Sequence, residues 1–96
     1  MRSAAFLRHL PNNSGVYLMK NLKGEIVYIG KARSLSSRIR SYFHCGTVHS
    51  SKTSRMLKEV ADIDWIITSS DLEALLLESN LVKHHHPKFN VVLRDD

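Results

Sequence analysis

The chain has 96 residues, 43% of them hydrophobic and 24% charged, with a formal net charge of +5. That length supports one modest core and not two, and the composition excludes a disordered chain. A single cysteine, Cys45, excludes an internal disulfide framework, and no long apolar run or signal-peptide pattern is present, so a soluble cytoplasmic protein is expected. The placement of the charge says more than its sum. Residues 1–58 carry eleven Lys or Arg against one acid, Glu25, whereas residues 59–96 carry three against eight acids. Such a split predicts a basic flank, the usual footprint of a polyanion partner, with a merely solubilising surface as the plainer alternative.

Residues 2–10 read as a short helix, with Ala4, Ala5, Phe6, Leu7 and Leu10 as its apolar content. The turn formers Pro11, Asn12, Asn13, Ser14 and Gly15 end it. A hairpin follows over residues 16–29, its arms apolar and β-branched around the turn formers Asn21 and Gly24. A four-residue loop from Asn21 to Gly24 pairs Lys20 with Glu25 and Met19 with Ile26. Continued, that register sets Tyr17 opposite Tyr28 and Gly15 opposite Gly30. Residues directly opposed share a face, with Cβ atoms roughly 4.5–5.5 Å apart. Two phenols would then stand beside two positions without side chains. Sheet packing alone accounts for a tyrosine pair; strand glycines are the stronger hint, because they often mark a close approach of backbone or ligand.

After Gly30 come Lys31, Ala32, Arg33 and Ser34, then a helix over residues 35–43 with Ser34 as its N-cap. Leu35, Ile39, Tyr42 and Phe43 fall on one side at helical spacing, and that side packs on the sheet. Arg38 lies on the margin of the same side and is held against the protein, whereas Arg40 points away. Residues 44–53 are polar, small and aperiodic; His44, Cys45 and His49 within them match no zinc spacing. Residues 54–61 read as a short helix with Met56, Leu57 and Val60 inward and Lys52, Arg55 and Lys58 outward. Residues 62–68 form a third strand whose Ile63, Trp65 and Ile67 share a face. Ser70 and Glu73 make a capping-box pattern that opens a helix running to about residue 85, which Pro87 ends. Residues 89–93 read as a final extended segment. His84, His85 and His86 point in different directions at the helix end, so favourable interaction with the helix C-terminus explains them better than a shared metal.

Glu78 stands apart from every other acid in the chain. Its neighbours three and four positions away on the helix are Ala74, Leu75, Leu81 and Val82, all apolar. A surface glutamate normally has a polar group among them. A carboxylate so placed is partly buried, and burying an ion unpaired costs several kcal/mol. It therefore calls for a cation: Arg38, Lys31 or a metal. A structural salt bridge is the plain reading. A hard divalent ion is the rival, because Mg²⁺ typically takes one or two carboxylates and fills its shell with water and phosphate oxygens. An inward Glu, two facing tyrosines, Lys31 and Arg38 are together the parts for phosphodiester hydrolysis.

Gly15-Val16-Tyr17 and Tyr28-Ile29-Gly30 resemble the two signatures of the GIY-YIG nuclease superfamily, with Val in place of Ile in the first. The likeness runs on through Lys31, Ala32, Leu35, Arg38, Tyr42, Glu78, Leu81 and Pro87-Lys88-Phe89-Asn90, covering nearly the whole chain. Within the superfamily it is most similar to the N-terminal endonuclease domains of the UvrC family, the incision subunits of bacterial nucleotide excision repair. The resemblance implies an α+β fold: a small three-stranded antiparallel sheet, first strand central, flanked by helices. It implies a DNA endonuclease that makes the 3′-side incision near a lesion, as part of the DNA-damage and SOS responses, with one Mg²⁺ or Mn²⁺.

By the same resemblance Glu78 is the metal ligand. Tyr17 and Tyr28 are the signature tyrosines, one of which activates the water. Lys31, Arg38 and Tyr42 position the phosphate or stabilise charge, and Asn90 supports the site. Gly15, Gly30, Lys31, Arg33, Arg38 and Arg40 are expected to meet the DNA backbone, the two glycines by keeping the sheet face clear. A phenol with a pKa near 10 is a poor base at pH 7, and a metal together with Lys31 or Arg38 would lower it. Tyr17 is the preferred base, with Tyr28 holding water or phosphate, although the residues do not choose between them. The family's second nuclease domain, partner-binding segment and DNA-binding module are not in this sequence. Residues 1–96 are therefore expected to be one domain excised from a longer chain, monomeric alone and gripping DNA weakly. The implied partners are DNA and the damage-recognition helicase subunit. The rival readings are another nuclease of the superfamily (homing, restriction or stand-alone repair type) and a noncatalytic basic domain that binds nucleic acid.

Overall fold

β1 (Gly15–Lys20) is the middle strand of a three-stranded antiparallel sheet, with β2 (Ile26–Ala32) on one side and β3 (Asp62–Ile67) on the other. The computed structural model describes residues 7, 9–44 and 46–92, with side chains as far as residue 90. The helix expected over residues 2–10 lies largely outside the described residues, as do Cys45 and residues 93–96. Gly15 to Met19 are buried without a break, because helices cover both faces of the central strand. The α+β architecture with the first strand central is the one expected from the resemblance.

On one face Tyr17 and Met19 of β1 and Ile63 of β3 pack against α1 (Leu35–Phe43), α2 (Ser51–Glu59) and α4 (Lys88–Val92), through Leu35, Ile39, Met56 and Phe89. On the other face Val16, Leu18 and Ile29 pack against α3 (Asp71–His85) through Ala74, with Leu77, Leu81 and Val82 around them.

The hairpin register differs from the one the sequence suggests. The loop has five residues, not four, because the Asn21 side chain organises it: Asn21 Oδ1 accepts from the backbone N–H groups of Lys23 and Glu25, each at 3.0 Å. Gly24 closes the turn at φ +83°, a conformation glycine adopts without strain. Lys20 consequently faces Ile26, not Glu25. A bulge then passes Val27 by, so that Met19 faces Tyr28 and Tyr17 faces Gly30. The fifth loop residue alone would turn Tyr28 to the α3 face, since a one-residue slip inverts every later side chain. The bulged residue turns it back. Both tyrosines therefore share a face as expected, two positions out of the expected register.

Serine caps place the helices. Ser34 Oγ accepts from Ser37 N at the start of α1, and the first two backbone donors of that helix, Leu35 N and Ser36 N, reach back to the Asn13 and Pro11 carbonyls at 3.0 and 2.8 Å. Ser50 caps α2 at Thr53 N (3.1 Å), which starts that helix three residues before the expected position. Ser70 caps α3 at Glu73 N (3.1 Å), while the Glu73 carboxylate accepts from Ser69 N (2.7 Å), a reciprocal capping arrangement. His86 ends α3 in the left-handed region at φ 46°, its N–H bonded to Val82 O at 2.9 Å. The extended segment expected over residues 89–93 is instead the short helix α4. Tertiary contacts override local propensity there: Phe89 is buried in the core and the Asn90 amide is fastened to β2.

Candidate active site

Three phenols meet on the α1 side of the sheet. Tyr17 is 1% exposed on β1, and its hydroxyl hydrogen-bonds the Tyr42 hydroxyl of α1 at 2.7 Å. The Tyr17 ring lies 6.2 Å from that of Tyr28 and 5.9 Å from that of Tyr42. The Arg38 guanidinium, one turn before Tyr42 on α1, lies over the Tyr42 ring at 5.5 Å and beside the Tyr17 hydroxyl. Tyr17 thus sits at the back of the cluster, while Tyr28 and Tyr42 are half-buried.

Glu78 approaches Tyr28 from α3, across the edge of β2. Its side chain is half-buried, beside both the backbone N–H and the ammonium of Lys31. Burial pushes its carboxyl above the ordinary value; the Lys31 charge and N–H pull the other way and do not prevail. Burial also raises both strand phenols. Tyr28 is pushed up to about 12 by burial and then by Tyr42, with Arg38 opposing and the Glu78 charge adding to the rise. Tyr17 rises further still, because its burial and its phenol neighbours Tyr42 and Tyr28 outweigh Arg38. Among the protein's own groups Arg38 pulls both phenols down but is outweighed, so the expected lowering would need the metal as well.

Asn90 holds β2 in place. Ile29 N donates to Asn90 Oδ1 and Asn90 Nδ2 donates to Ile29 O, both at 2.8 Å. Ile29 lies on an edge strand, so these main-chain groups have no strand partner on that side. One amide supplies what a neighbouring strand would have supplied, between Tyr28 and Gly30.

The two signature glycines are explained by internal packing and leave no open sheet face. A Cβ on Gly30 would land on the Tyr17 hydroxyl and ring, with Tyr17 Cε1 at 3.0 Å. A Cβ on Gly15 would strike the Ile66 carbonyl oxygen of β3 and sit 2.8 Å from Leu35 Cδ1. Arg33 and Arg40 stand outside the phenol cluster. Arg33 pairs with Asp71 through Nε at 3.2 Å, and Arg40 Nε donates to Ser36 Oγ at 3.0 Å on the outer side of α1.

Apart from a zinc spacing it does not match, the sequence pattern points to no place for His49 beside the phenols. Its ring stacks 6.1 Å from that of Tyr42, and its Nε2 hydrogen-bonds the Tyr42 carbonyl at 3.0 Å, one of the last carbonyls of α1. A lone histidine in a polar loop carries no periodic signal that could have found it.

Among the described residues no three His, Cys, Asp or Glu side chains converge to hold an ion. Glu78 is thus a single carboxylate beside Tyr28. That donor set suits a hard divalent ion with a largely aqueous shell, and does not suit zinc.

The model of the UvrC-like GIY-YIG domain matches residues 13–91. The chain is 52% identical over 92 residues to UvrABC system protein C of Clostridium beijerinckii, covering 96% of this chain and 15% of that protein. It is 50% identical over 90 residues to UvrABC system protein C of Clostridium botulinum strain Hall, covering 94% and 15%. The chain therefore spans about 15% of the length of these curated relatives. Among solved structures it is similar to the GIY-YIG N-terminal endonuclease domain of UvrC from Thermotoga maritima bound to its catalytic magnesium. That match has a TM-score of 0.76 at 39% identity and covers 88% of this chain and 90% of that one. A point mutant of the same domain, bound to its catalytic divalent cation, gives 0.81 at 36% identity over 94% and 98%. With the sheet order, the phenol cluster and the inward carboxylate all in place, this chain belongs to the UvrC-like GIY-YIG domain family.

Proposed function

We propose that this chain is a metal-dependent DNA endonuclease domain that hydrolyses one phosphodiester on the 3′ side of a lesion in bacterial nucleotide excision repair. The observation that carries the reading is the half-buried Glu78 carboxylate, set beside Tyr28 and Lys31 with no arginine pairing it among the described residues. Magnesium in the Thermotoga maritima relative supports Mg²⁺ as the ion here, with Mn²⁺ as a substitute. Glu78 would hold it. When bound, such an ion supplies positive charge against the phosphate and acidifies water.

The remaining work falls to the chain's own groups. Arg38 offers a planar fork to two phosphate oxygens at once, and Lys31 offers a point charge beside Glu78. The Tyr17–Tyr42 hydrogen bond fixes the ring on which Arg38 rests, so these two phenols orient the guanidinium. Tyr28 is the phenol nearest to Glu78 in effect and is only half-buried, so we assign it the proton of the attacking water, which it would accept as the phenolate, the form that a divalent ion at Glu78 would favour against the burial that raises it. Tyr17, sealed behind it, is a positioning residue. Asn90 keeps Tyr28 in place through Ile29.

Residues 1–96 act as one domain of a longer chain, whose other parts deliver it to damaged DNA together with the other excision-repair subunits, in the cytoplasm where bacterial DNA lies. The relatives' names and the 15% coverage support this part of the reading. No helix among the described residues is long and apolar enough to cross a membrane.

Nicking of supercoiled plasmid tests the activity. The chain nicks with Mn²⁺, stops with EDTA, and Glu78→Ala abolishes nicking while retaining DNA affinity. Mn²⁺-dependent nicking by Glu78→Ala at the wild-type rate would remove Glu78 from the chemistry.

A further inference from the structure

On the Lys31 side of the site, a cleft of about 210 Å³ opens between the end of β2 and the first two turns of α3. Lys31 and Arg33 stand on one wall and Leu72 and Leu75 on the other. Leu72 is 64% exposed, Leu75 46% and Leu76 57%. Single exposed leucines need no explanation, but three within five helical positions do, two of them, Leu72 and Leu75, lining a cationic cleft. The α3 packing on the sheet runs through Ala74, Leu77, Leu81 and Val82.

We propose that this cleft receives the unstacked base of the nucleotide next to the scissile phosphate. The inference rests on the nuclease reading above. Leu75 lies three residues before Glu78, a spacing that puts the two side chains about 5–6 Å apart at Cβ on the helix surface. Lys31 belongs to both places, since it stands beside the Glu78 carboxylate and also lines the cleft. A DNA strand advances roughly 3.4 Å per nucleotide along the duplex axis. A phosphate held at Glu78 therefore sets the adjoining nucleotide over the leucines.

The chemistry of the cleft fits that occupant. Leucine side chains are among the apolar wedges that enter base steps and unstack them, and Lys31 and Arg33 meet the flanking phosphates. Asp71 is the one anion on the rim, and its charge is already engaged: Oδ1 accepts from Ser14 Oγ at 2.8 Å and Oδ2 pairs with Arg33 Nε at 3.2 Å. Arg33, 91% exposed, remains open to a phosphate on its outer side.

The test uses a short duplex whose nick position has been mapped with Mn²⁺. 2-Aminopurine, fluorescent when unstacked, is placed on either side of that position, and binding is followed in EDTA together with the anisotropy of an end label. The wild-type chain at saturation brightens the probe on one side of the nick and not the other. Leu72→Ser/Leu75→Ser, which keeps its fold because both side chains are exposed, binds DNA but leaves the probe dark. Its nicking of paired duplex falls roughly ten-fold, the scale of losing part of two leucine contacts. A mismatch at that position speeds wild-type nicking roughly ten-fold or more, because it removes the unpairing cost. Binding and nicking with a dark probe in the wild type overturn the base site and leave the nuclease reading standing. Absence of both binding and nicking overturns the two together. A dark probe with self-association that the double variant abolishes would assign the leucines to a second copy of the chain.

Discussion

Replacing Gly30 by alanine tests the packing that holds the phenol cluster. The added methyl would occupy the space of the Tyr17 hydroxyl, and Cε1 of the same ring would remain only 3.0 Å away. Tyr17 is 1% exposed, so its ring has no empty neighbourhood to enter. It must tilt out of its well or push β2 from β1. Overpacking of this kind costs about 1–3 kcal/mol. A tilted ring also parts from Tyr42, leaving a buried hydroxyl unpaired at about 1–3 kcal/mol more. Gly30 has no positive φ, so alanine recovers about 0.4–1 kcal/mol through the unfolded chain. The net loss is roughly 1–6 kcal/mol, a large share of the roughly 5–15 kcal/mol that holds a small domain together. Urea unfolding followed by circular dichroism measures it as a lower midpoint with an unchanged slope. Tyr17→Phe relieves the contact with the hydroxyl oxygen, so the double variant is less destabilised than the two single losses added together. Gly30→Ala within about 0.5 kcal/mol of wild type, the ordinary scatter of surface substitutions, would refute the packing account.

Asn90→Ala removes both hydrogen bonds to the Ile29 main chain, and stability falls by about 1–3 kcal/mol. The Ile29 amide then exchanges with solvent by local opening, faster than its neighbours within the β1–β2 ladder; unchanged protection at Ile29 would contradict the assignment. For Tyr17 the folded state keeps its proton to higher pH than the unfolded chain does, so stability is full below pH 10 and falls above it. The slope approaches about 1.4 kcal/mol per pH unit for this one group once the unfolded phenol is ionised, and Tyr17→Phe shows a fall shallower by about that amount between about pH 11 and 12. Parallel curves for the two proteins would show that the burial of Tyr17 is not linked to its proton.

The features readable from residue order are those whose cause is local. Ser34 and Ser70 cap helices wherever a periodic apolar run follows them, and both do so here. Glu78 was legible because its helix neighbours at three and four positions are all aliphatic, and its half-buried place beside Lys31 follows from that spacing. The hairpin register was not legible, because a side chain, Asn21, decides the loop length and a cross-strand choice at Val27 decides the bulge. α4 escaped for a similar reason: five residues carry too little periodicity, and what shapes them is Phe89 in the core and Asn90 on a strand 61 positions away in sequence. The packing need for glycine at position 30 was not legible either, since the ring that fills the space above it comes from β1 and is paired in a register the loop rule does not foresee.

The bulge at Val27 imposes a rule of parity on this hairpin. Loop length and bulge count together decide which side of the ribbon Tyr28 occupies, and only their combined evenness or oddness matters. A single insertion or deletion between Lys20 and Tyr28 would send the phenol to the α3 side, whereas a paired change, one residue in the loop and one at the bulge, would return it. Lineages of this fold can therefore vary the length of the turn freely, provided that every odd step is answered by another before the second tyrosine is reached.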